Sequence, residues 1–232
     1  MMKGSAYAWT LLSAALLAVL VLADPSGHAA VVAQQQTTPR VEVTIEGFRS
    51  AKFGTDEKAV RTAIKTDFDA DGKAVELVTT DPQRTTSLVV GVNDLLPDTG
   101  PAQVAYILGY KTKRLIQINV QWGPPGNPDA TRESLAKTGV LLRDYFLRQG
   151  FAAKKVRINI PFKDGTVLFF RGEDSKGHLV DLRLVPAGKA AETATSTGTA
   201  QAEPGKRPAV LRLSYIENLR EPDVFQVKQG AF

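Results

Sequence analysis

Residues 114–122, RLIQINVQW, constrain the fold more than any other stretch of the chain. Ile116, Ile118, Val120 and Trp122 alternate with Gln117, Asn119 and Gln121, so a strand here carries one apolar and one polar face. Such a strand belongs to a sheet with one face packed on a core and the other wet, which is the habit of antiparallel sheets.

Several further runs fit the same sheet. β-Branched segments at 75–79 and 87–92 are separated by the Asp81-Pro82 turn signal, and 103–110 leads into 114–122 through a short turn at Lys111, Thr112 and Lys113. Later come 156–162, 166–171 after an Asp164-Gly165 turn, 179–185 after the turn at 175–177, and 210–216. A short first strand is expected where Val41, Val43 and Ile45 alternate with Glu42, Thr44 and Glu46. Two stretches have helical spacing instead. In 56–68, Val60, Ala63, Ile64 and Phe68 share a face, with Thr55 as the expected N-cap and Asp56 and Glu57 in the first turn. A second helix is expected from Pro128, capped by Asn127, to Gln149, with Leu135, Leu142 and Phe146 on one stripe and Gly150 as its stop.

The expected fold class is therefore α+β: two helix-plus-antiparallel-meander units, 41–122 and 127–216, possible copies in a tandem repeat sharing one sheet. A loop at 186–208, rich in Ala, Thr, Gly, Ser and Pro and poor in large apolar side chains, is expected to be mobile, and 217–232 forms a C-terminal tail.

Residues 1–33 read as a signal peptide: Lys3, a small-apolar run from Leu11 to Ala23, then Ala29, Ala30 or Ala33 as cleavage positions. The apolar run is shorter than the roughly 20 residues of a membrane span, although retention as an uncleaved anchor is the alternative. Either way the body is expected outside the cytoplasm, periplasmic or secreted. With no cysteine, no disulfide, thiolate nucleophile or lipid-modified cysteine is available. Lys3 and Asp24 cancel, so removal of the leader keeps the formal charge of +5. That excess suits either an anionic envelope component or a soluble surface with a few extra lysines. No concentrated basic stripe with interleaved aromatics is present, so no nucleic-acid partner is expected.

The segment GFRSAKFGTDEKAVRTAI at 47–64 resembles the opening motif of small secreted α+β modules of the β-lactamase-inhibitor-protein (BLIP) and BamE/SmpA type, in which a Phe-Gly pair precedes an acidic helix start. The resemblance implies a non-catalytic module that binds another envelope protein. The chain departs from BamE-type lipoproteins in lacking the lipidated cysteine, and from the inhibitor family in lacking its disulfides.

Few residues mark chemistry. Asp67, Asp69, Asp71 and Gly72 spell the first half of a calcium loop, but Val78 stands where the bidentate glutamate belongs, so a polar turn at a helix end is the other reading. His178 is the only histidine after the leader and is expected to be an exposed turn residue with no local Ser-His-Asp support. GPPGNP at 123–128 lacks the backbone donors of a phosphate cradle. Tyr106, Tyr110, Trp122, Phe162, Phe169 and Phe170 lie on expected strands, where aromatics serve a core or a binding platform. Because Phe169 and Phe170 are adjacent, one should face away from the helix-covered side.

These observations lead to an exported non-enzymatic binding module for a cell-envelope protein, with Tyr110, Lys111, Lys113, Arg114, Phe169 and Phe170 as its contact residues and no cofactor beyond a possible calcium ion. Two alternatives stay open: a small-molecule-binding periplasmic protein with a pocket between helix and sheet rimmed by Lys111, Lys113 or Arg114, and a hydrolase using a carboxylate pair in a cleft between the two units.

Overall fold

The computed structural model of the protein describes residues 42–187 and 208–227. The leader at 1–33 and nearly all of the loop at 186–208 lie outside them. Every strand expected from 75 onward forms: β3 (Val75–Thr80), β4 (Thr85–Val92), β5 (Ala102–Leu108), β6 (Leu115–Trp122), β7 (Val156–Pro161), β8 (Val167–Glu173), β9 (Leu179–Pro186) and β10 (Ala209–Ile216). All pair antiparallel in one eight-stranded sheet of order β3-β4-β5-β6-β10-β9-β8-β7. Each four-strand run is a meander, and the two runs join through their last strands: Leu211 lies opposite Trp122 and Leu213 opposite Val120. A two-stranded hairpin, β1 (Gly47–Phe48) and β2 (Ala51–Lys52), stands apart from this sheet.

The strand alternation becomes two faces of the sheet. Leu88, Val104, Tyr106, Ile118, Val120, Trp122, Leu211, Leu213, Val180 and Leu182 are buried on one face and, together with the helices, form a single core. Gln103, Gln117, Asn119, Gln121, Arg212 and Arg183 share the opposite face, as the cross-strand register requires. Ile116 departs from the expected alternation. Leu108 pairs with Leu115 and Ile107 with Gln117, so Ile116 is the extra residue of a bulge and Leu115 takes the buried place.

Helix α1 (Glu57–Phe68) buries Val60, Ala63 and Ile64. Its N-cap is Asp56, whose carboxylate accepts from Ala59 N, and not Thr55. Thr55 is engaged elsewhere, donating its hydroxyl to Lys52 O and accepting Leu115 N at its carbonyl. Helix α2 (Arg132–Leu147) starts four residues after the expected Pro128, because Thr131 and Ser134 form a reciprocal capping box that Asn127 cannot supply. Gly150, at φ 90°, stops the chain past its end.

The expected first strand does not form. Residues 42–46 have no strand partner; Ile45 is fixed instead by side chains, its N–H donating to Asp174 Oδ2 at 2.9 Å and its carbonyl meeting His178 Nδ1 at 2.5 Å. The second correction concerns Phe169 and Phe170. The β8–β9 register shifts between Leu168 and Phe170, and this bulge turns both rings toward α2, leaving them 8% and 0% exposed. Phe170 stacks on Phe146 of α2, while Phe169 lies so close to Gly139 that a Cβ there would sit 2.6 Å from its ring.

Candidate ligand cleft

Where the two meanders meet, the ends of β6, β9 and β10 open into a cleft of about 800 Å3. One wall is the β8–β9 turn with Glu173, Lys176 and His178, the second is Thr112, Arg114 and Ile116, and the third is the chain from Glu217 to Asp223. The β8–β9 turn is organised by Asp174. Its carboxylate has no exposed surface and accepts the backbone N–H groups of Ile45, Lys176 and His178 at 2.9 Å each, while its carbonyl accepts from Lys155 Nζ. A carboxylate with three amide donors is a fixed anchor.

That anchor orients His178. The Ile45 carbonyl can only accept, so the Nδ1 facing it at 2.5 Å carries a proton, with Asp174 Oδ2 3.4 Å away on the same side. Phe53 holds the ring edge-on, with centroids 5.3 Å apart. The side chain is 18% exposed and lines the cleft, which corrects the reading of an exposed turn histidine. Glu217 lines the cleft too. Partial burial raises its carboxyl above the ordinary value of 4.5, His178 pulls it back, and Asp223 adds to the rise.

The third wall is a strap. Beyond β10 the chain crosses the β5–β6 turn, where the Asp223 carboxylate accepts from Lys111 N at 3.0 Å, Thr112 N at 2.8 Å and Thr112 Oγ1 at 2.7 Å, and Asp223 O accepts Tyr110 N. Burial alone would raise the Asp223 carboxyl, but the Thr112 and Lys111 hydrogen bonds and the Lys111 charge hold it below the ordinary Asp range. Gly109 makes room for it, since a Cβ there would lie 2.2 Å from Asp223 Oδ2. Phe225 then packs edge-on to Tyr110 and lies under the Arg84 guanidinium.

The contact residues expected from the sequence scatter across this arrangement. Arg114 lines the cleft and approaches Asp56 at 3.8 Å. Tyr110 and the Lys111 amide are engaged by the strap, and Lys113 lies over the Tyr110 ring. Phe169 and Phe170 are core residues, so neither ring offers a surface to a partner. The calcium loop is not assembled: Asp67 turns to Ser50, accepting from its N–H and hydroxyl, and the Lys65 ammonium sits between Asp69 and Asp71 at 2.7 and 3.1 Å. A lysine in that place does what a cation would do. Among the described residues no cluster of three His, Asp or Glu side chains is arranged to hold a metal.

Asp174, Glu217 and Asp223, the acids that build the cleft, carry no sequence signal of their own. Asp174 acts on the distant Ile45 and Asp223 on the distant Thr112. The Asp174-x-Lys176-x-His178 turn is the one local hint, an Asx-type turn capped by its own carboxylate.

Among the described residues no helix is long and apolar enough to cross a membrane. Comparison with protein-family models, with curated proteins and with solved structures returned no match to this chain.

Proposed function

We propose that this protein is an exported, non-enzymatic binding module that receives a charged segment of a cell-envelope protein in the cleft at the junction of the two meanders. The observation that carries this reading is pre-organisation. Asp174 and Asp223 fix opposite walls through internal hydrogen bonds, so that His178, Glu217, Arg114 and Arg220 face a polar cleft whose shape does not wait for a partner. Both signs of charge line it, which suits a polar peptide segment better than a lipid headgroup. The same reading takes the two helix-plus-meander units as copies of one module, on their element order and their symmetric junction through β6 and β10. The likeness of 47–64 to the BLIP and BamE/SmpA modules points the same way.

The test is a photo-crosslinking residue placed at Leu219, a half-exposed position of the cleft wall, in the native host, with Leu77 on the far edge strand as control. One stoichiometric envelope protein captured at 219 and not at 77 supports the module. Equal capture at both positions, or none at 219, overturns it. Mass spectrometry of the same material tests export, with Ala30, Val31 or Gln34 expected as the first residue.

A second reading has one specific observation behind it: Glu217, with its raised carboxyl, shares the cleft with Glu173, the arrangement of an acid and its partner in carboxylate-pair hydrolases. Glu173 is already paired with Lys155 at 3.5 Å, which ties it to structure and favours the binding reading. Hydrolysis of a glycoside panel that disappears in Glu217→Gln would reverse that preference.

A further inference from the structure

The exposed apolar surface of this protein is gathered on one flank. Among the described residues ten large hydrophobic side chains are exposed, and seven of them lie on α2, on β7 or directly after it. The outer side of α1 carries charge instead, with the Arg61–Glu57 and Lys65–Asp69 pairs along it. So much exposed apolar surface in one place marks an interaction site.

The shape of this flank follows from its elements. Val140 and Leu147 share a row of α2 with Arg143, and Arg143 Nη1 donates to Asn159 Oδ1 at 3.0 Å, so the row faces β7. Ile158 stands on the same side of the sheet, since it pairs with Phe170, whose ring stacks on α2. Asn159 is left-handed, φ 54°, and the β7–β8 register skips it. Beyond it Ile160 pairs with Leu168, which pairs in turn with Arg183 of the polar face, and the Arg183 guanidinium lies 5.7 Å from the Phe162 ring centroid. Apolar side chains thus stand on both sides of one sheet edge, each of these five between 37% and 43% exposed.

Cations surround that edge. Arg148 ends α2, Lys154 and Arg157 open β7 and Lys163 follows it; all four are exposed, and none has a carboxylate partner among the described residues. Arg157 donates to the carbonyls of Lys154 and Val156. The nearby acids are engaged: Glu133 with Lys137 at 2.9 Å, Asp144 with Arg143 at 2.8 Å, Glu173 with Lys155 at 3.5 Å, and Asp164 with the Thr166 N–H.

We propose that this flank docks on an anionic lipid surface, its cations meeting headgroup phosphates and its five apolar side chains reaching the acyl boundary. A second copy would bring the same cations face to face, which like charges oppose. Strand addition needs an even ladder, and Asn159 and Pro161 interrupt this one. A folded partner would have to fit both sides of an edge at once, whereas a fluid headgroup layer closes around it. The unpaired backbone groups of β7 need water, which holds the edge at headgroup depth and lets only side chains go further. This inference is independent of the seam cleft.

The experiment uses the full chain with Leu16→Asp and Leu20→Asp, which interrupt the apolar run of the leader so that it does not itself hold a bilayer. The sequence has no cysteine, so Leu147→Cys, Phe162→Cys and, on the far edge strand, Leu77→Cys each give one attachment point for a fluorophore. Each labelled chain is titrated with vesicles of equal parts phosphatidylglycerol and phosphatidylcholine, brominated at the headgroup end of the acyl chains, and with brominated phosphatidylcholine alone. The expected result is saturable quenching at 147 and 162 but not at 77, on the anionic vesicles. Arg148→Gln together with Lys154→Gln should raise the half-saturating lipid concentration about tenfold or more, since each cation near an anionic surface is worth about fivefold. Quenching missing at 147 or at 162, or equal at 77, overturns the proposal. So does binding that is unchanged by loss of the two cations or equal on phosphatidylcholine alone. Sedimentation without lipid tests the rival occupant: a monomer is expected, and self-association that disappears in Leu147→Asp would assign the flank to a second copy and overturn lipid docking.

Discussion

The two helices meet the sheet differently, although each precedes a four-strand meander. Helix α2 packs ring against ring: Phe146 stacks on Phe170 with centroids 5.3 Å apart and planes 22° from parallel, and Phe151 meets the same ring edge-on. Gly139 and Gly172 allow this approach, because a Cβ at either would sit less than 3 Å from a phenylalanine ring. Helix α1 instead buries the small set Val60, Ala63 and Ile64 with Phe68 half-buried beside them, and Tyr106 of β5 keeps a buried hydroxyl without a hydrogen-bond partner. The same order of elements thus gives one closely fitted half and one with unused polar capacity. Shape complementarity, set by two glycines and a bulge, separates them; the order of elements does not.

The comparison breaks most directly at Phe170. Truncation to alanine should cost about 3–5 kcal/mol in urea unfolding, as for other fully buried aromatics, and the loss should be non-additive with Phe146→Ala because the rings share one contact. A cost under about 1 kcal/mol would show that the second half is not closely fitted. Next is Gly139→Ala. Helix propensity alone favours alanine by about 1 kcal/mol, but the added methyl meets the Phe169 ring at 2.6–3.0 Å, so a net loss of about 1–3 kcal/mol is expected. The matched change in the first meander, Gly91→Ala on β4, meets nothing within 4 Å and should be neutral or slightly stabilising.

Tyr106→Phe sharpens the contrast from the other side. It removes an unpartnered hydroxyl without changing the ring, so the protein should gain about 1 kcal/mol. A loss of that size would mean the hydroxyl has a bound partner, such as a water. At the seam, Asp223→Ala frees the strap and should cost about 1 kcal/mol after solvent screening. Since the folded carboxyl of Asp223 lies below its ordinary value of 3.8, this contribution is present above that value and lost as pH falls through the lowered one.

The smallest effect belongs to Glu217. Its folded carboxyl is raised, so folding takes up a proton; the favourable contribution is complete below 4.5 and disappears as pH rises through the raised value. Glu217→Gln should therefore raise the melting temperature slightly at pH 7 and make no difference near pH 4. The opposite order would place Glu217 in a favourable ion pair.

The calcium loop and the Phe169-Phe170 pair show where reading the sequence stops. Asp67, Asp69 and Asp71 have the right spacing for a shared cation, but spacing does not say that Lys65, one helical turn before Asp69, will lie between two of them. Adjacent strand residues do face opposite ways unless a bulge intervenes, and nothing local announces one at Leu168. His178 follows the same logic: a turn histidine is exposed only until another segment covers it, here the stretch at Ile45. Of the contact residues, Arg114 alone lies in the cleft lining, carried there by a turn the alternation had already located.

What the sequence determined by itself is local and periodic. Alternation at 114–122 specified a strand and its buried face, β-branched and turn-bounded runs located seven more strands, and apolar spacing located both helices, because side-chain direction follows from backbone geometry within a few residues. The tertiary structure decided the rest: the pairing of β6 with β10, the clamp of Asp174 on Ile45, the strap of Asp223 on Thr112, and the cavities between them. The pairing and the two clamps join residues from 89 to 129 positions apart. At such separations, chain closure and mutual fit, not local preference, select the partner.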